Sequence, residues 1–360
     1  MPTRFGILPS MLLSVVTASL VPSALGQTFD WAAPSFDRWN YPFNTTPGAK
    51  LEASVFGNFD PAFATSFDER DGQLLITFDT AGQITPGQGV SAYAIESVTL
   101  TATTSRDLAF PYDPSPDPWQ ARLPDTDPQH IPDTDAGDAL IVSGTGFRNG
   151  FDPASYGETG TYSPVGAFGV RERNAFALSF DDMDAPVDIS NNVKDSFDAR
   201  PWGVGLTEAV APGASVPVDT ALMFEVDVAD PAIAAYFADG LNAGLLSLTI
   251  SSSLEGAVQS PTIPALYCKE DASGTPVTLQ IVLSSACSPA DITTDGSSNG
   301  EPDGAVTLSD FSFFLSLWSL GDPAADITLD GACDIDVGGG DGVTLSDFSC
   351  FLATWSLGCP

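Results

Sequence analysis

The chain has 360 residues, of which 47 are Asp or Glu and 12 are Lys or Arg, so its formal net charge is -35. This balance argues against nucleic acid as a partner, because binding nucleic acid requires a basic patch that displaces counterions. It argues against binding to an anionic membrane surface for the same reason.

Residues 1–26 have the pattern of a secretory signal peptide. Arg4 precedes an apolar stretch, and Ala24-Leu25-Gly26 supplies the small residues of a cleavage site. The apolar stretch is shorter than the ~20 residues that span a bilayer, and no later segment qualifies. We therefore predict no membrane span and a secreted protein, extracellular or at the cell surface.

Residues 27–286 are long enough for one large domain, and many segments alternate between apolar and polar or small side chains. Such segments occur at 74–79, 98–103, 222–228, 246–251 and 277–283. Clusters of Gly, Pro and Asp separate them. The pattern predicts a mainly β fold, an antiparallel β-sandwich that is jelly-roll-like.

One helix is predicted within this domain. Asp230 is its expected N-cap, Pro231 its first residue, and it should end between Gly240 and Gly244. Its apolar face would be formed by Ile233, Phe237 and Leu241.

The segment 111–138 is rich in Pro and Asp and is too long for an ordinary hairpin connection. Three interpretations stay open: a solvated surface loop, a calcium site, or a sugar-stacking platform made by Tyr112 and Trp119. The acids considered for calcium are Asp125, Asp127, Asp133, Asp135 and Asp138.

The residues offer little support for catalysis. His130 is the only histidine, and no base can be assigned to activate Cys268. A glycoside hydrolase needs only two carboxylates, but nothing singles out a pair among Glu69, Glu96, Glu158, Glu172 and Glu225. We therefore expect no catalytic residues, with a glycoside hydrolase as the alternative.

Residues 299–310 have the spacing of a calcium loop, with a glycine, Gly304, at the sixth position. The oxygen-bearing ligand candidates are Asn299, Glu301, Asp303, Thr307 and Asp310. Apolar residues then recur at helical spacing, which predicts an amphipathic helix after the loop.

The loop and helix repeat 37 residues later, since Thr-Leu-Ser-Asp-Phe-Ser recurs unchanged. The acidic start of the loop is also duplicated. Further ligand candidates are Asp291, Asp295, Asp330, Asp334, Asp336, Asp341 and Asp347. From residue 287 onward the chain has acids but no Lys or Arg, and such concentrated carboxylates repel one another unless a cation separates them. We therefore predict bound Ca2+.

This duplicated loop and helix resembles a dockerin, and the resemblance covers residues 287–360 only. It departs from the dockerin pattern in the first loop, which begins either at Asn299 or at Asp291 followed by an insertion. The resemblance implies a small α-helical module that binds a cohesin-like partner. In that family, residues at the late loop positions recognise cohesin, which implies partner contacts by Leu308, Ser309, Leu345 and Ser346.

Four of the five cysteines lie in this C-terminal segment, as expected for a small secreted module with little core. We expect one disulfide between Cys287 and Cys359 and another between Cys333 and Cys350, although four cysteines permit three connectivities. Together these features predict a secreted calcium-binding protein. Its dockerin-like tail would attach a polysaccharide-binding or structural β domain to a cohesin-like or cell-envelope partner.

Overall fold

The structure is a computed structural model that describes residues 27–57, 71–164, 173–181, 183–254, 256, 260–283, 290, 292–293, 306–329, 332–333 and 342–357. Within these residues the fold is mainly β, with a large curled antiparallel sheet. The predicted signal peptide and the predicted domain boundary at 286 lie outside the described residues.

The strands are β1 (Gln27–Trp31), β2 (Phe36–Asn40), β3 (Glu52–Ser54), β4 (Gln73–Asp79), β5 (Ile95–Thr103), β6 (Leu140–Phe147), β7 (Ala175–Phe180), β8 (Pro186–Asp188), β9 (Gly203–Leu206), β10 (Ala221–Glu225), β11 (Leu245–Ser252), β12 (Ala265–Tyr267), β13 (Thr278–Leu283), β14 (Thr328–Leu329) and β15 (Ala332–Cys333). The helices are α1 (Pro153–Tyr156), α2 (Asn192–Asp195), α3 (Pro231–Ala243), α4 (Leu308–Leu320) and α5 (Leu345–Leu357). Each alternating segment noted above overlaps a strand, which confirms those predictions, although β10 ends at Glu225 and not at 228.

The large sheet has the order β1-β13-β5-β10-β9-β6-β11-β4-β2, with β7 paired to β6 and β8 paired to β7. Strand β9 joins its two halves, because it pairs with β10 on one side and with β6 on the other. A Cβ atom at Gly203 would lie 2.6 Å from the carbonyl oxygen of Glu225. Glycine at this position therefore permits the close approach of the strands.

The two halves of the sheet share one buried core. Strands β5, β10 and β13 contribute Leu100, Phe224 and Leu279, and strands β4, β6 and β11 contribute Ile76, Val142 and Leu248. All six side chains are buried. Removing these side chains from water is the main stabilising contribution to this part of the chain.

Helix α3 packs on β11 and follows the sequence prediction closely. The Asp230 side chain accepts a hydrogen bond from the backbone N–H of Ala232 at 2.9 Å, and Pro231 is the first helical residue. The helix ends at Gly244, whose φ of 80° suits glycine. The predicted apolar face, Ile233, Phe237 and Leu241, is buried.

The C-terminal segment contains a second, smaller core. Helices α4 and α5 pack on each other, and α5 also packs on the short β14-β15 hairpin. Its buried members are Ala290, Phe314, Ala325 and Phe351. The two helices predicted from the apolar spacing are thus confirmed as helices.

Candidate functional site in the C-terminal repeat

Helix α4 begins with a reciprocal cap. Its N-cap is Thr307, whose hydroxyl oxygen accepts the backbone N–H of Ser309 at 3.1 Å. In return, Oδ2 of Asp310 accepts the backbone N–H of Thr307 at 2.7 Å. Threonine and aspartate three positions apart satisfy N–H groups that a helix start otherwise leaves without partners.

The other oxygen of the Asp310 carboxylate reaches an earlier part of the chain. Its Oδ1 accepts the backbone N–H groups of Ile292 and Thr293, at 2.8 and 2.9 Å. The Asp310 side chain is fully buried. Three backbone N–H groups thus compensate this buried charge, and the carboxylate connects the helix start to the two residues that follow Asp291.

Asp347 repeats this arrangement at the start of α5. Its Oδ2 accepts the backbone N–H and the hydroxyl of Thr344, at 2.6 and 2.9 Å, and its Oδ1 accepts the backbone N–H of Ile327 at 2.8 Å. Asp347 is also fully buried. The two sequence repeats therefore make equivalent hydrogen bonds through the carboxylates of Asp310 and Asp347.

These contacts bear on the predicted metal ligands. Both Asp310 oxygens already accept hydrogen bonds, so coordinating calcium through them requires that some of these bonds be exchanged. The side-chain oxygen of Thr307 likewise serves the cap. The other ligand candidates lie outside the described residues: Asp291, Asp295, Asn299, Glu301, Asp303, Asp330, Asp334, Asp336 and Asp341.

An aromatic cluster joins the two helices with an internal twofold relation. Phe314 and Phe351, which occupy equivalent positions 37 residues apart, stack with ring centroids 4.0 Å apart. Phe311 contacts Trp355 at 5.5 Å, and the equivalent pair, Phe348 and Trp318, lies at 5.2 Å. These contacts thus involve equivalent residues of the two repeats.

Hydrogen bonds between the repeats follow the same rule. Trp318 Nε1 donates to the carbonyl oxygen of Thr344 at 2.7 Å, and Trp355 Nε1 donates to the carbonyl oxygen of Thr307 at 3.1 Å. Each indole therefore binds the N-cap residue of the opposite helix. The shared cluster sets the positions of both helix starts relative to each other.

The residues implied to contact a partner lie at these helix starts. Leu308 and Leu345 are 70% and 69% exposed, Ser346 is exposed, and Ser309 is half-buried. These two leucines occupy equivalent positions in the two repeats and are among the most exposed large apolar side chains of the described residues. Leu320, at the end of α4, is 77% exposed and was missed in the sequence, where it was not distinguished from buried apolar residues.

The predicted disulfides are only in part within the described residues. Strand β15, which contains Cys333, packs on helix α5, which contains the buried Cys350. Their pairing stays a prediction, and Cys287 and Cys359 lie outside the described residues. Cys268, by contrast, is a buried free cysteine in the β domain, and burial raises the pKa of its thiol.

Acidic residues of the β domain meet at one place that the sequence did not indicate. Oxygens of Asp37, Glu158 and Glu270 lie within 4.8 Å of one another. The Lys269 ammonium pairs with both glutamates. This lysine gives the cluster its own counterion, as in a structural ion-pair network. Of the other acids considered for catalysis, Glu96 and Glu225 are exposed on strands, and Glu69 and Glu172 lie outside the described residues.

Of the three interpretations left open for the 111–138 loop, the sugar-stacking platform does not fit the structure. Tyr112 is buried in the core, and its hydroxyl oxygen accepts the backbone N–H of Thr207 at 3.1 Å. Its ring therefore has no face available to stack beside Trp119.

Comparison with known proteins adds no relative. Neither the models of known protein families nor the curated proteins match this chain. In the part of the chain that the structure describes, every helix is too short or too polar to cross a membrane.

Proposed function

We propose that this chain is a secreted modular protein whose residues 287–360 form a dockerin-like, calcium-binding docking module. In this proposal the exposed leucines Leu308 and Leu345, together with Ser309 and Ser346, contact a cohesin-like or cell-envelope protein. The observation that carries the proposal is the twofold pairing of α4 and α5, which leaves two equivalent leucines exposed at 70% and 69%. Because the two contact sets are equivalent, the partner can dock in either of two orientations.

Calcium has a defined part in this proposal. The acidic segments before each helix repel one another, and a bound cation removes this repulsion and fixes the loops. The buried carboxylates of Asp310 and Asp347 connect each helix start to an earlier backbone N–H, that of Ile292 and that of Ile327. Calcium removal is therefore expected to loosen the helix starts and weaken docking.

In this proposal the docking module attaches the β domain to the partner, and the β domain is a jelly-roll-like β-sandwich. The shared core between the two halves of the curled sheet supports this architecture. Polysaccharide binding or a structural role is the proposed activity, by analogy with other proteins that have such modules. A glycoside hydrolase is the alternative, and release of reducing ends from polysaccharide by the full chain would favour it.

Docking is tested by retention of the labelled full chain on the cell-envelope fraction of the producing organism, in calcium and in EDTA. We expect retention in calcium only. Leu308→Asp or Leu345→Asp alone should reduce retention little, because the other repeat still docks, and the double variant should abolish it. Met183→Asp is the matched control, since Met183 is 84% exposed in the β domain. Equal retention of the double variant and the control would refute the proposal.

Calcium binding by the tail is tested by calorimetry on the full chain. Asp303→Asn and Asp341→Asn change ligand candidates of the first and second loop, and each is expected to remove one bound ion. Unchanged stoichiometry in both variants would leave the tail as an acidic module without calcium sites.

A further inference from the structure

The start of the 111–138 loop is held firmly against the β domain. The backbone N–H of Tyr112 donates to the carbonyl oxygen of Ala214 at 2.8 Å, and the buried Tyr112 ring belongs to the main core. Asp113 follows directly and is only 3% exposed. Its carboxylate is therefore positioned by the fold and not by the loop alone.

Three carboxylates from both ends of the loop converge there. Oxygens of Asp113, Asp117 and Asp135 lie within 4.8 Å of one another. Between the first two lies Ser115, whose N–H and hydroxyl are 2.8 and 3.0 Å from Asp113 Oδ1. The same hydroxyl is 3.1 Å from Asp135 Oδ2, so it bridges the start of the loop and its end.

The second oxygen of the Asp113 carboxylate differs from the first. Asp113 Oδ2 is buried and has no hydrogen-bond partner among the described residues. The nearby guanidinium of Arg122 pairs with Asp117 and Asp138. Leaving a buried carboxylate oxygen without a donor or cation costs at least about 1–3 kcal/mol, so this oxygen requires a donor or a cation that the described residues do not supply.

Without a cation, the fold disfavours the ionised forms of these carboxylates. Burial raises the pKa of Asp113 and of Asp117, and the neighbouring Asp133 raises both further. A cation between the carboxylates would reverse these effects, because it stabilises their ionised forms.

The donor set selects the kind of cation. The three side chains offer only carboxylate oxygens, which hard cations prefer, and Asp135 is exposed, which leaves room for water ligands. Two oxygens that bind one calcium ion lie at most about 5 Å apart, and the oxygens of this cluster, all within 4.8 Å of one another, satisfy that limit. Magnesium demands a tighter and more regular octahedron than side chains on a long loop supply.

We propose that Asp113, Asp117 and Asp135 bind one calcium ion, which joins the two ends of the 111–138 loop. This site lies in the β domain and is independent of the proposed calcium loops of the tail. Of the acids considered for calcium in the sequence analysis, the site contains only Asp135. Asp125, for example, is 98% exposed and is not part of this cluster.

Limited trypsin digestion of the full chain tests the proposal. Arg122 is the only Lys or Arg within the loop, so cleavage after it reports loop opening. At calcium tenfold above its dissociation constant, cleavage after Arg122 should slow about tenfold relative to EDTA. Asp135→Asn should abolish this protection, whereas Asp125→Asn, the same charge change in the same loop, should keep it. Cleavage elsewhere in the chain is the internal reference.

Native mass spectrometry counts the ions and separates this site from the tail. Asp135→Asn and Asp113→Asn should each bind one calcium ion fewer than the wild type, whether or not the tail binds any. Asp135 is exposed, so Asp135→Asn is expected to fold normally. It therefore tests the site even if Asp113→Asn, at a buried position, does not fold. Protection of Arg122 by calcium in both variants, or no effect of calcium on the wild-type loop, would overturn the proposal.

Discussion

Phe314 and Phe351 stack face to face with their ring planes only 2° from parallel, although 37 residues separate them in the chain. Both rings are buried, and they lie where the two repeats meet. The pair is the centre of the small C-terminal core.

Truncating either ring should therefore destabilise both helices. Phe314→Ala or Phe351→Ala is expected to cost about 3–5 kcal/mol, because each removes a buried aromatic side chain and leaves a cavity. Hydrogen exchange of the full chain should show faster exchange in α4 and α5 together. Leu315→Ala, at a 38% exposed position on α4, is the control and should change exchange little. Loss of protection in the mutated helix alone would show that the helices do not stabilise each other.

The buried carboxylate of Asp310 is expected to matter even without metal. Asp310→Asn replaces one acceptor oxygen by a donor group, so it loses either the two backbone N–H bonds of Oδ1 or the one of Oδ2, and should cost about 1–3 kcal/mol. Hydrogen exchange of the first turn of α4, measured in EDTA, should accelerate in this variant but not in Asp322→Asn. If hydrogen exchange differs between Asp310→Asn and Asp322→Asn only when calcium is present, Asp310 acts through the metal and not through the hydrogen bonds described above.

The buried carboxyl group of Asp37 is expected to make the stability of the fold depend on pH. Burial, and to a smaller extent the nearby Glu270, raise the pKa of Asp37 from 3.8 to about 7. Between these values the folded chain binds a proton that the unfolded chain releases, so this group lowers the stability progressively as the pH rises from about 4 to 7.

Asp37→Asn should remove that dependence. Relative to wild type, the variant is expected to gain stability between pH 4 and pH 8, by up to about 4 kcal/mol. Urea unfolding in EDTA at both pH values measures the gain, with the exposed Asp125→Asn as the charge-matched control. A difference from wild type that stays constant with pH would contradict the assignment.

The buried ion pair between Arg173 and Asp71 gives a further prediction. The guanidinium donates two hydrogen bonds to the carboxylate, at 2.7 and 2.5 Å, and both side chains are almost completely buried. Arg173→Met should cost about 3–5 kcal/mol, because it leaves the Asp71 charge buried without a partner.

Adding Asp71→Asn to Arg173→Met should restore part of that loss, as measured by urea unfolding. Arg148→Met is the control, since its pair with Asp188 is more exposed and should contribute no more than about 1 kcal/mol. If the double variant is no more stable than Arg173→Met, the loss comes from packing and not from the unpaired charge.

The sequence predicted the elements whose signals are local. Alternation identified strands such as β4 and β11, and the Asp230-Pro231 start and Gly244 end identified α3. It did not predict the pairing of Asp71 with Arg173, because the partners are 102 residues apart and charge alone does not select one arginine among twelve bases.

At the candidate sites, too, the sequence predicted local features but not contacts between distant residues. The spacing of residues 299–310 marked Asp310, but it could not show that the carboxylate accepts N–H groups from Ile292 and Thr293. In the 111–138 loop, Asp113 was overlooked because only the fold buries it. Composition distinguishes neither a buried acid from an exposed one nor a core tyrosine from a surface tyrosine.

The exchange of indole hydrogen bonds between the repeats has a consequence for the origin of the module. Trp318 donates to Thr344, and Trp355 donates to Thr307, as residues do across the twofold axis of a homodimer. A single repeat that ends at Gly321 would expose its tryptophan, its central phenylalanine and its N-cap carbonyl oxygen on one self-complementary surface. Two copies of such a repeat have the contacts to assemble as separate chains, and fusion by gene duplication would make that association intramolecular.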